Sequence, residues 1–121
     1  MQEILDTGFY TPTLTNVTNV GDSTAVECMW FRTGCFVTVN GSVAIDPTAA
    51  APTATELGIS LPIPSEFTLI RQLAGVAACS AVQQSGRLQA DATNDRAALL
   101  FSAVDTASRT WNFKFTYMVR Q

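Results

Sequence analysis

A chain of 121 residues holds one domain, with enough core to fold without disulfides or metals. Seven basic against ten acidic residues, with Lys114 as the one lysine, exclude a polybasic surface for nucleic acid or anionic lipid. The lack of histidine removes Ser-His-Asp and Cys-His nucleophile systems and the commonest metal ligand.

In chain order, the start has no basic region followed by an apolar run, so no secretory signal is legible. No stretch approaches the roughly 18 apolar residues that read as a membrane span. Residues 9–17 are the first predicted strand. Residues 24–32 (TAVECMWFR) and 35–45 (CFVTVNGSVAI) flank Gly34, which is the signal of a β-hairpin with a glycine turn. Val37, Val39, Gly41, Val43 and Ile45 share one parity, and Gly41 marks a bulge or a close backbone approach. Residues 46–55 (DPTAAAPTAT) are a loop opened by Asp-Pro. Residues 56–62 (ELGISLP) are a short strand stopped by proline. Residues 69–80 (LIRQLAGVAACS) are small enough for either a helix or a strand; Gly75 and the Val/Cys content favour a strand that admits a close neighbour. Residues 84–90 and 97–104 are two more strands, joined by an Asx-type turn at residues 92–95.

The clearest strand is 109–120. Trp111, Phe113, Phe115, Tyr117 and Val119 alternate with Asn112, Lys114, Thr116, Met118 and Arg120, so one face is strongly apolar. Core packing is the preferred reading of that stripe over a ligand-stacking platform. About eight antiparallel strands in one domain fit an all-β, jelly-roll-like, two-sheet sandwich.

Candidate chemistry is sparse. Cys28, Cys35 and Cys79 match no zinc or redox spacing and read as reduced, buried residues, with a Cys28–Cys35 bridge left open. Glu27 is the one carboxylate oddly placed in mid-strand, and it lacks a positioned partner for acid–base work. Asp91, Asn94 and Asp95 lack the spacing of a calcium loop and read as a turn with an Arg96 ion pair. No catalytic, cofactor or metal residues are assigned, and neither nucleic acid nor membrane is an expected partner. Charged residues make up 14% of the chain, against about 25% in an average soluble domain, so part of the surface is expected to lie against partners.

Several strings together carry a resemblance: residues 11–17 (TPTLTNV), 23–28 (STAVEC), 46–50 (DPTAA), 57–63 (LGISLPI), 90–97 (ADATNDRA) and 113–119 (FKFTYMV). From about Gly8 onward the chain resembles a module of bacteriophage and prophage structural proteins, often near the C-terminal end of tail-fibre-like chains. The resemblance implies a homotrimeric jelly-roll-like sandwich located on the virion, and it brings no catalytic motif. A domain of residues 8–121 with an N-terminal arm of residues 1–7 is expected. Met1, Gln2, Glu3, Ile4, Leu5 and Asp6 are the candidate assembly arm. With so short a lead before the module, a capsid decoration, cement or head-fibre protein is favoured, its partners being copies of itself and the major capsid protein or another virion protein. The alternative is a receptor- or glycan-binding tip of a tail fibre.

Overall fold

The structure is a computed structural model that describes residues 5–119. Ten strands follow in chain order: β1 (Leu5–Tyr10), β2 (Leu14–Thr18), β3 (Val20–Ala25), β4 (Cys28–Thr33), β5 (Phe36–Pro47), β6 (Thr53–Ile59), β7 (Leu73–Cys79), β8 (Gln84–Asp91), β9 (Arg96–Ala103) and β10 (Arg109–Met118). Every pairing is antiparallel, and the order across the sheet is β1-β4-β5-β10-β7-β8-β9-β6-β2, with β3 also on β5. The fold is therefore all-β: one antiparallel sheet, curled on itself. The ten strands exceed the eight expected because two predicted segments are each broken in two.

The first break separates β1 from β2. Thr11, Pro12 and Thr13 interrupt the predicted strand 9–17, and the two halves go to opposite ends of the sheet, β1 onto β4 and β2 onto β6. Proline has no N–H for a ladder, so the strand ends there. The second break separates β3 from β4. Ala25 pairs with Val43 and Met29 with Asn40, so four steps on one side match three on β5. One extra residue in the Val26–Glu27 stretch is a β-bulge, which bends the strand. The expected hairpin is present: Thr33 pairs with Phe36 around Gly34 and Cys35, and Gly34 has φ 61°. A positive φ costs glycine little. Residues 69–80 are a strand only from Leu73; Ile70–Gln72 form a 3₁₀ turn.

β10 is the central strand. Its ladder runs to β5 along one edge, from Arg109↔Ile45 to Met118↔Phe36, and to β7 along the other. Trp111, Phe113, Phe115 and Tyr117 all point inward and are buried, as the alternation predicts. The rings have room because their neighbours are small. Phe113 lies between Gly41 and Ala77, and Phe115 has Gly75 on one side. A Cβ at Gly75 would sit 2.3 Å from the Lys114 carbonyl oxygen, and one at Gly41 would sit 2.2 Å from Cys28 Sγ. Both glycines are thus sites of close approach. Leu57, Ile59, Leu88, Leu99 and Phe101 complete the core from the far side of the curl.

The two ends of the sheet meet without a ladder between β2 and β3. Asn19, at φ 58° between them, closes the seam with its side chain. Its Nδ2 donates to the Ala49 carbonyl (2.8 Å) and to Thr55 Oγ1 (2.9 Å), and its Oδ1 accepts from the Ala49 amide (2.8 Å) and Thr48 Oγ1 (2.6 Å). Tyr10 Oη donates to the Ser60 carbonyl at 3.0 Å, and Ser60 Oγ accepts from the Thr13 amide at 2.8 Å.

Two substitutions test this account. Gly75→Ala forces a methyl against backbone that cannot move aside, and should lower stability by about 2–3 kcal/mol. Asn19→Gly keeps the left-handed backbone but deletes four hydrogen bonds, and should cost about 2 kcal/mol or more. Urea denaturation midpoints measure both; a midpoint within error of the parent chain in either variant contradicts the corresponding contact.

Candidate interaction face

Three carboxylates at the turns, Asp91, Asp95 and Asp105, are committed to structural bonds. Asp91 accepts from Asn94 Nδ2 (2.9 Å) and forms an ion pair with Arg96 Nε (3.1 Å). Burial pushes the Asp91 carboxyl up, and the bonds from Asn94 and the charge of Arg96 outweigh it, so its pKa lies below the ordinary value. The expected Asx-type turn with its arginine partner is therefore what the structure contains. Asp95 faces elsewhere: its two oxygens accept from the amides of Ser65 (3.0 Å) and Phe67 (2.9 Å), which ties the segment after β6 across the end of the curl. Nothing in the local sequence announces that long-range bond. Asp105 binds Arg109 at 2.6 Å, and hydrogen bonding from Arg109 holds its carboxyl below the ordinary range. Glu27 is exposed at the bulge. Among the described residues, no three carboxylates or cysteines come together as a metal site.

The cysteines are separate and free. Cys28 packs over Gly41 at the start of β4, while Cys35 lies in the hairpin turn at its far end, so the bridge left open between them does not form. Cys28 and Cys79 are buried, and Cys35 is half-buried.

The arrangement that stands out lies on the outside of the sheet. Alternation that sends the β10 rings inward sends Asn112, Lys114, Thr116 and Met118 outward. Their neighbours in register extend the same face across five strands. One row runs Phe9, Met29, Asn40, Lys114, Val76; the next runs Thr7, Phe31, Thr38, Thr116, Ala74; a third pairs Thr33 with Phe36 and Met118. Phe9 is 65% exposed and Val76 68%, and Met29, Phe31, Phe36 and Met118 are each about half exposed. Lys114 is the one charged residue in these rows. Thr38 and Thr116 hydrogen-bond to each other at 3.0 Å, so even the polar centre is partly self-satisfied. The exposed aromatics Phe9, Phe31 and Phe36 lie on strands, and for Phe36 the parity opposite to that of Val37 and Val39 is the sequence signal.

Of the candidate arm, Leu5 and Asp6 belong to β1, where they pair with Thr33 and Arg32; Met1, Gln2, Glu3 and Ile4 lie outside the described residues. Among the described residues the sheet thus already includes Leu5, three residues before the expected domain start at residue 8. β1 borders the apolar face and, among the described residues, is paired by β4 alone.

A separate open groove of about 490 Å³ lies between β8 and β9. Their ladder stops at Arg87↔Leu100, and beyond it the strands part. Gln84, Ser85, Arg87, Thr55 and Ser102 line the gap, and the Gln84 amide donates across it to the Ser102 carbonyl.

Comparison with protein-family models, with curated proteins and with solved structures found no match for this chain.

Both tyrosines sit at structural hydrogen bonds: Tyr117 Oη donates to the Ile63 carbonyl (2.8 Å) and accepts from the Ile63 amide (3.2 Å), and Tyr10 holds Ser60. Burial raises both phenol pKa values well above the ordinary 10.0. A raised pKa means that the neutral phenols stabilise the fold fully below pH about 10, and that this contribution is lost as pH climbs further. In an alkaline titration, phenolate absorbance should appear together with the loss of near-ultraviolet circular dichroism. A tyrosine ionising near its ordinary value in an intact fold contradicts the burial of that ring.

Proposed function

We propose that this chain is a non-enzymatic structural protein of a bacteriophage particle. In this reading it is a capsid-decoration, cement or head-fibre module that forms a homotrimer and docks on the capsid. The observation that carries the reading is the outer face of β1, β4, β5, β10 and β7, broad, apolar and almost without charge. Patches of that kind belong to surfaces that are covered by other proteins. The low charge content of the whole chain points the same way, as does the resemblance to phage structural modules. The commitment of Asp91, Asp95 and Asp105 to structural bonds supports a role without acid–base chemistry. A jelly-roll-like sandwich is the finer architecture proposed for the curl. The parting of β8 from β9 supports it, since it begins to divide the sheet into two blocks.

The alternative, a receptor- or glycan-binding tip of a tail fibre, is favoured by one feature, the groove between β8 and β9. Its amide, hydroxyl and guanidinium groups suit the hydroxyls of a neutral sugar.

Light scattering on the purified chain should give three times its 13.0 kDa mass. A monomer at all accessible concentrations overturns self-association. Binding to a glycan array that is lost in Arg87→Ala would move the assignment to the fibre tip.

A further inference from the structure

We infer that copies of this chain bind one another through the outer face of β1, β4, β5, β10 and β7, with the Glu27 corner of one copy against the Arg71 corner of the next. The inference rests on the self-association proposed above and assigns it a surface and an orientation.

The apolar side chains on this face cannot be withdrawn by a small adjustment. Each is fixed outward by a ladder whose alternate residues, among them Val37, Val39, Phe115 and Tyr117, fill the core. Turning Phe36 or Met118 inward would need a register slip that exposes those core residues. The face must therefore stay in water or be covered.

Its size suits a protein partner. Strands lie about 4.8 Å apart and rise about 3.4 Å per residue, so five strands and the Asn112-to-Met118 length of β10 span about 20 Å each way between backbone axes. With side-chain margins this approaches the roughly 800 Å² per partner of a standard interface.

Its charge pattern selects a second copy as the occupant. Within the five strands the rows hold Lys114 alone, and the row of Lys114 and Val76 continues to exposed Arg87 on β8. At one corner, exposed Glu27 borders a recess formed with Phe9, Met29 and Ser42. At the diagonally opposite corner, exposed Arg71 borders a recess formed with Phe36, Thr116 and Met118. A face of apolar side chains around an uncharged threonine pair, with an acid at one corner and bases on the opposite side, is its own complement. A highly charged partner would find only Lys114 and, at the β8 border, Arg87 to answer it. Among the described residues β1 is paired by β4 alone, so its outer edge offers backbone groups that a neighbouring copy can meet.

The test compares the oligomer mass of the parent chain with those of Phe31→Asp, at the centre of the face, and Val104→Asp, an equally exposed apolar site outside these rows. Phe31→Asp should weaken association at least about thirtyfold, the effect of a central interface residue, while Val104→Asp leaves it unchanged. Glu27→Arg should weaken it too, and adding Arg71→Glu should restore it, because the pair is exchanged. A parent chain that is monomeric removes the underlying self-association reading. An oligomeric parent whose Phe31→Asp variant stays equally oligomeric removes this surface alone. Failure of the exchanged pair to recover removes the corner-to-corner orientation. Should Phe31→Asp lose its near-ultraviolet circular dichroism, hydroxyl-radical footprinting of the parent decides. Met29 and Met118 should be protected in the oligomer, and oxidation as fast as in urea overturns the inference.

Discussion

The packing of four aromatic rings on one strand sets both surfaces of this molecule at once. Trp111, Phe113, Phe115 and Tyr117 occupy successive inward positions of β10, and the ladders to β5 and β7 lock that phase on both edges. A strand has only two faces, so an inward choice for these residues is an outward choice for Asn112, Lys114, Thr116 and Met118. The same phase, carried by register, sends Val37 and Val39 inward and Phe36 outward. It likewise places Gly75 beneath a ring and leaves Val76 in water. A slip of one residue would exchange every member of these sets, which makes the register strongly specified. The chain therefore cannot hide its outer Phe and Met side chains without giving up the core.

The curl that seals the core has a weaker side. All eight adjacent strand pairs in the path from β1 to β2 are held by ladders, but β2 and β3 meet through side chains. Asn19 saturates its amide there, and Ser23 Oγ donates to Asn16 Oδ1 at 2.6 Å. No buried side-chain nitrogen or oxygen among the described residues is left without a partner. Satisfied polar groups of this kind fix a unique closure rather than merely a collapsed one. The opposite end of the curl is closed in the same manner, by Asp95 on two amides, Tyr117 on Ile63 and the ring of Phe67 edge-on to Tyr117 at 5.8 Å. Ladders build the wall, and a few side-chain bonds decide where it closes.

These two kinds of interaction differ in how much sequence they need, and that sets what can be read without a structure. The inward rings of β10, the shared parity of Val37 to Ile45, the Gly34 hairpin and the Asp91–Arg96 turn all follow from neighbours within a few residues, and each is legible. The separation of β1 from β2 is not, since the choice of edge is made by closure between distant strands. Asp95 reads as a turn residue because its partners, Ser65 and Phe67, lie about thirty positions earlier. Pro12 and the Val26–Glu27 bulge carried a partial signal: each lies inside a run that is apolar enough to look continuous. The interaction face was readable in principle, as the residues left over once the core parity is assigned.

The outer face also gives a physical reason for the composition. Charged side chains keep a free domain dispersed, and they are costly to strip of water when two surfaces meet. A face of Phe9, Met29, Phe31, Phe36 and Met118 with a single lysine forgoes the first benefit and avoids the second penalty. The rest of the exterior follows suit with Thr, Ser, Asn and Gln, which hydrogen-bond well but carry no ionic hydration. Such a surface tolerates being covered over a wide area without matched ion pairs. Specificity must then come from shape and from the few charges that remain. On this face those are Glu27 at one corner, Lys114 within it, and Arg71 and Arg87 toward the opposite side, unpaired with one another and well placed to set how two chains align.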